Sequence, residues 1–144
     1  MRAITAWIML IENNEFNGSF YVIPESHKIY ISCAGVTNKK NYAQSLKKQR
    51  TGVPRPETMQ RILQNMEIQS IHGNAGTMAF HDCNILHASP DNISEVPRTV
   101  LMLVFNSCDN ALEKPFSYQS PRPKYLRNTD ASALELSQTC MQTG

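Results

Sequence analysis

Two residues in this chain could do chemistry together, His87 and Arg98. A neutral imidazole is a good ligand for iron, copper or zinc. A guanidinium is a planar fork that matches a carboxylate. The two flank the loop ASPDNISEVP, residues 88–97. TMAFHDCNIL (77–86) reads as a strand running into His87, and RTVLMLVFNS (98–107) as its antiparallel return. A hairpin sets its loop-flanking residues at one end, so both side chains can enter one cavity. A metal ligand beside a carboxylate clamp suits an iron enzyme that uses a 2-oxo acid. The keto end chelates the iron and the arginine holds the far carboxylate.

A plainer reading stands beside this one. A lone histidine at a strand end is usually a surface or hydrogen-bonded residue, and an arginine after proline is usually an exposed charge. The non-haem iron triad needs two histidines and a carboxylate, of which His87 is one third. The other histidines do not complete it. His81 and Asp82 are adjacent, so in a strand they face opposite sides and cannot converge. His27 in ESHK and His72 in IHGN read as solvated turn residues. No GxSxG, P-loop or GxGxxG sequence occurs.

Short strands joined by turns must position His87 and Arg98. Residues 3–10 read as a strand that is apolar on both faces, NNEFNG (13–18) as a turn and SFYVIP (19–24) as a second strand. HKIYISCAG (27–35) reads as a third strand, and the polar segment 38–50 as helix plus mobile loop. Met59, Ile62, Leu63 and Met66 fall at i, i+3, i+4, i+7, one face of a helix with Pro56 in its first turn. HGNAG (72–76) reads as a turn. Strand 98–107 is the most apolar, which predicts a central strand covered on both sides. The sum is an all-β fold with a helical insertion near 56–66, a double-sheet jelly roll.

The 144 residues suit one domain. At 41% hydrophobic and 18% charged the chain is globular. A net charge of +2 is too small to imply a nucleic-acid partner, and the lysines around 39–50 read as a solvated face. No run approaches the roughly 18 apolar residues of a membrane span. Cys33, Cys83, Cys108 and Cys140 form no CxxC pair, so they read as free thiols in a reducing, cytoplasmic setting. The chain opens almost directly into a strand, so Met1 reads as an internal methionine of a longer protein.

FHDCNILHASPDNIS, the following PR and LVFNSCDNAL together resemble the distal-histidine segment of ectoine hydroxylases, in the phytanoyl-CoA dioxygenase superfamily. MRAITAWIMLIENNEFNGSFYVIPESHK resembles that family's strand pair and its IPGSHK-like turn. QSLKKQRTGVP resembles its lid region, and KPFSYQSPRPKYLRNTD its PRPEF-like element. The resemblance implies a double-stranded β-helix core, Fe(II), 2-oxoglutarate and O2, and a small zwitterionic substrate like ectoine. It implies that His87 matches the distal iron ligand and Arg98 the arginine that pairs with 2-oxoglutarate. Ser89 and Thr5 fall where small hydroxyl residues line the cosubstrate pocket. Arg122 falls at the substrate end.

The departures are equally specific. The family's HxD motif, which lies shortly before its counterpart of MRA, is absent. His81 stands where an aromatic packs on the substrate, Lys124 where PRPEF has its acid, Glu25 for the glycine of IPGSHK and Ala88 for the glycine after the ligand histidine. Residues 1–130 are then expected to form the C-terminal part of a dioxygenase jelly roll, with 131–144 a polar tail. This polypeptide alone is expected to lack hydroxylase activity. The alternatives are a metal-free jelly-roll binding module and a dioxygenase of the same superfamily with another substrate. No nucleic-acid or membrane partner is expected, and a homodimer is left open.

Overall fold

A computed structural model describes residues 2–40, 43–110, 123, 125, 128, 130 and 132–135. Among these residues, six strands form two antiparallel sheets. The first has the order β4–β1–β6, from Met78–Asp82, Ala3–Met9 and Val100–Asn106. The second has the order β3–β2–β5, from Gln69–Ile71, Phe20–Val22 and His87–Ala88. Along β1 the side chains alternate. Thr5, Trp7 and Met9 on one face are all buried. Trp7 meets Phe20 of β2 in a stack with ring centres 4.1 Å apart. Trp7, Phe20 and Val22 are the buried cluster that joins the sheets, flanked by Ile71, Ala79, Ile85 and Val100. Phe20 is 0% exposed.

The turn between β1 and β2 is built from asparagines. Asn14 Oδ1 accepts from the backbone N–H of Phe16 and Asn17, and Asn17 Nδ2 donates to the carbonyl of Glu12. Gly18 closes it at φ 82, a left-handed conformation that costs a residue with a Cβ. The helix predicted over 56–66 is α1, Pro56–Leu63, with Pro56 in its first turn and Ile62 as its buried residue.

Four expectations about strands are corrected. Segment 27–35 is not a strand. It begins with a short 3-10 turn, Ser26–Lys28, entered through Glu25 at φ 66. Both edges of β2 are already occupied, by β3 and β5, so no partner edge remains for it. The run 77–86 is not one strand. β4 stops at Asp82, whose carboxylate accepts from the N–H of Asn84 and turns the chain. β5 then joins the other sheet. Nor do β4 and β6 form a hairpin, because β1 lies between them, pairing Thr5 with both His81 and Val104. Finally, among the described residues β6 is an edge strand, not a covered central one. Residues 101–107 are exposed throughout, Val104 at 59%. The strand Gln69–Ile71 has one apolar residue, Ile71, too short a signal to be read as a strand. Of the segment 38–50, the described part holds a 3-10 turn, Leu46–Lys48, whose cap Ser45 accepts from Lys47 N–H.

Candidate active site

The Trp7–Phe20 stack is the floor on which the chemistry-bearing side chains meet. The His87 ring lies against Phe20 with centres 5.5 Å apart. The Arg98 guanidinium sits 5.2 Å from the centre of the Trp7 ring, a cation–π placement. Arg98 Nη1 donates to the carbonyl of Gly18 and to Ser89 Oγ, the latter at 2.7 Å. Ser89 follows His87 by two residues and so leaves the strand on the same side. His87 and Arg98 therefore do come together. Face-to-face packing of two sheets brings this about, rather than a hairpin.

The atoms left free define what the site can take. His87 Nδ1 lies 2.9 Å from the carbonyl of Ile85. A carbonyl only accepts, so Nδ1 carries the proton and Nε2 presents a bare lone pair. This is the usual orientation device of a metal-binding histidine. Both Arg98 hydrogen bonds use Nη1, and among the described residues no carboxylate pairs with Arg98. Half-burial lowers its pKa, yet a guanidinium stays charged. A partly desolvated cation with an open side is a site for a carboxylate.

His81 is buried at 9% exposure, opposite Thr5 across the β1–β4 ladder. Its ring lies 5.1 Å from Phe20 and 5.5 Å from His87, centre to centre. Nδ1 donates to the carbonyl of Asp82, and Nε2 is buried without a partner. Desolvation lowers its pKa, so the ring is neutral. Asp82 faces away and is spent on its turn, as alternation predicts. Thr5 is buried and shares its hydroxyl with Cys83 Sγ at 3.3 Å. That places it beside His81 and not on Arg98. Arg122 lies outside the described residues, as does Lys124. His27 is half-buried with Nδ1 unpaired, against the solvated reading, while His72 is exposed and bonded to Ser70. Sequence reading missed Trp7, Phe20 and the Gly18 carbonyl. The single tryptophan, spaced two from Thr5 on a strand, was the available signal.

An iron ion fits this set in part. His87 Nε2 supplies one donor of the right kind, but no group of three His, Cys, Asp or Glu side chains among the described residues could hold a metal. Among the described residues, no helix is long and apolar enough to cross a membrane.

Two small antiparallel sheets joined by a buried aromatic cluster fit part of a jelly roll. Residues 1–100 match the phytanoyl-CoA dioxygenase (PhyH) family, and the chain belongs to it. Its curated relatives include the ectoine dioxygenase of Bordetella parapertussis, 41% identical over 131 residues, covering 91% of this chain and 42% of that protein. The ectoine dioxygenase of Sphingopyxis alaskensis is 41% identical over 137 residues, covering 94% and 45%. The crystal structure of EctD from S. alaskensis with 2-oxoglutarate and 5-hydroxyectoine superposes with a TM-score of 0.71 at 34% identity, over 92% of this chain and 41% of that one. The same protein with bound Fe gives 0.69 at 32% identity, over 92% and 41%. The chain thus spans less than half the length of the relatives it matches.

Proposed function

We propose that this chain carries the distal-histidine and cosubstrate-arginine half of an Fe(II)- and 2-oxoglutarate-dependent dioxygenase that hydroxylates ectoine or a similar small zwitterion. One observation carries the reading. A histidine with a bare Nε2 and an arginine with an open guanidinium side stand on one aromatic floor. The match to EctD bound to iron and to 2-oxoglutarate supports it. In this reading His87 offers Nε2 to iron, and Arg98, steadied by Gly18 and Ser89, grips the distal carboxylate of 2-oxoglutarate. Iron, when bound, supplies activation of O2 for hydroxylation. The chain's own residues orient the cosubstrate and keep the floor dry. Thr5 lines the inner wall, and Arg122 serves the substrate end. The free thiols Cys33 and Cys83 suit a reducing cytoplasm. The edge of β6 that no described strand pairs with suits association with a second copy as a homodimer.

Calorimetry with 2-oxoglutarate tests this. Binding should strengthen with Fe(II) and fall by on the order of tenfold or more in Arg98→Lys, since an ammonium cannot replace the planar fork. Binding indifferent to Fe(II) would favour a metal-free jelly-roll module instead. A second reading keeps the chemistry and changes the substrate. The buried, unpaired Nε2 of His81 favours it, because that atom would recognise a donor that an aromatic ring ignores. Product analysis across a panel of small zwitterions, with the chain supplied in a complete enzyme, separates the two.

A further inference from the structure

His81 and His87 share a feature that iron binding by His87 alone does not use. Each commits Nδ1–H to a backbone carbonyl, Asp82 for one and Ile85 for the other. Each is left with a bare Nε2, and the rings are neighbours. Two neighbouring rings whose Nε2 atoms have no partner among the described residues can offer two nitrogens to one cation. His81 Nε2 is fully buried and unpartnered, a destabilising arrangement that a phenylalanine in the same ring contacts would avoid. The spacing also fits. With metal–nitrogen bonds of about 2.0–2.1 Å, two imidazoles on one ion set their ring centres roughly 4.5–5.5 Å apart, from a right-angle to a trigonal bite. The observed separation is 5.5 Å. Two strands and their turn hold the rings, so little freedom is lost on binding.

We infer that His81 and His87 form a two-nitrogen site for a divalent transition-metal ion, with water completing the coordination. The exposed side of His87 is the entry path. Zn2+, Cu2+ and Ni2+ are among the ions that imidazole suits. The inference shares His87 with the proposed function and adds a residue which that reading does not need, so the two fail separately.

The test is titration of the 144-residue chain with Zn2+, followed through the imidazole nitrogens by NMR. The expected result is coordination shifts at Nε2 of both His81 and His87 at one stoichiometric equivalent. His81→Phe should raise the melting temperature of the metal-free chain while weakening Zn2+ binding by on the order of tenfold or more, since one of two ligands is gone. His87→Ala should weaken it likewise. His81→Gln keeps a polar group and provides a second variant should the phenylalanine disturb packing. Zn2+ that shifts His87 but leaves His81 Nε2 unmoved would overturn the inference and leave the dioxygenase reading standing. So would unchanged affinity in His81→Phe or His81→Gln, or failure of the wild-type chain to bind Zn2+.

Discussion

Strands β1 and β6 have the same length and nearly the same apolarity, AITAWIM against VLMLVFN. They lie side by side in one sheet, paired along their whole length. Yet β1 is buried along its inner face, and β6 is exposed from Leu101 onward. Position makes the difference. β1 has a strand on each side and Phe20 against its inner face, so each apolar side chain there has somewhere to go. β6 has one neighbour and no covering layer among the described residues. Apolarity measures what a strand gains from being covered, not whether anything covers it. His87 and Arg98 lie off β1 but rest on the aromatic rings of its covered face, Phe20 and Trp7.

The largest effect should come from the covered side. Trp7→Ala removes the centre of the buried cluster and the ring under Arg98. It should cost about 3–5 kcal/mol in urea unfolding. The equivalent truncation on β6, Val104→Ala, should cost well under ~1 kcal/mol, because that residue is 59% exposed. Similar losses at the two positions would break the contrast.

Gly18→Ala should come next. Gly18 sits at φ 82, and an added Cβ would stand 3.2 Å from the carbonyl oxygen of Pro90. A left-handed alanine costs about 1–2 kcal/mol, and the Gly18 carbonyl that holds Arg98 would shift with it. Unfolding free energy and 2-oxoglutarate affinity should therefore fall together. A loss of stability with affinity intact would separate the turn from the site.

Glu25→Gly runs the same logic backwards. Glu25 occupies the left-handed region at φ 66, where a glycine is at ease. Its exposed ion pair with Lys28 contributes little to stability. Replacing it should stabilise the chain by up to ~1 kcal/mol, read from a denaturation midpoint at unchanged slope. A destabilised variant would mean the ion pair outweighs the backbone strain.

What the sequence made legible follows the same division. Strands 3–10 and 19–24 and the helix from Pro56 were readable, because local alternation, 3.6-residue spacing and a proline at the first turn are written in neighbouring residues. The place of each strand in its sheet was not. β1 wedges between β4 and β6, a pairing across about 70 to 100 residues that no local pattern records. The meeting of His87 with Arg98 was anticipated from a hairpin that does not exist, and arises from the stack of Trp7 on Phe20. The direction of His81 away from Asp82 was readable from alternation. Its contact with Phe20 and His87 was not, because that depends on how two sheets face each other.

The smallest effect on stability should come from charging the β6 edge. An edge strand with exposed apolar faces and unpaired backbone groups is a template for pairing with another chain. Two copies could join antiparallel along β6, which would cover Met102 and Val104 on both. Val104→Lys puts a charge on this already exposed position, so folding stability should change by no more than about 0.5 kcal/mol. Association should change far more. Sedimentation velocity across a concentration series should show the wild-type chain growing heavier with concentration and the lysine variant remaining a monomer. If the two sediment alike, β6 is not where copies of this chain meet, and its apolar faces need another explanation.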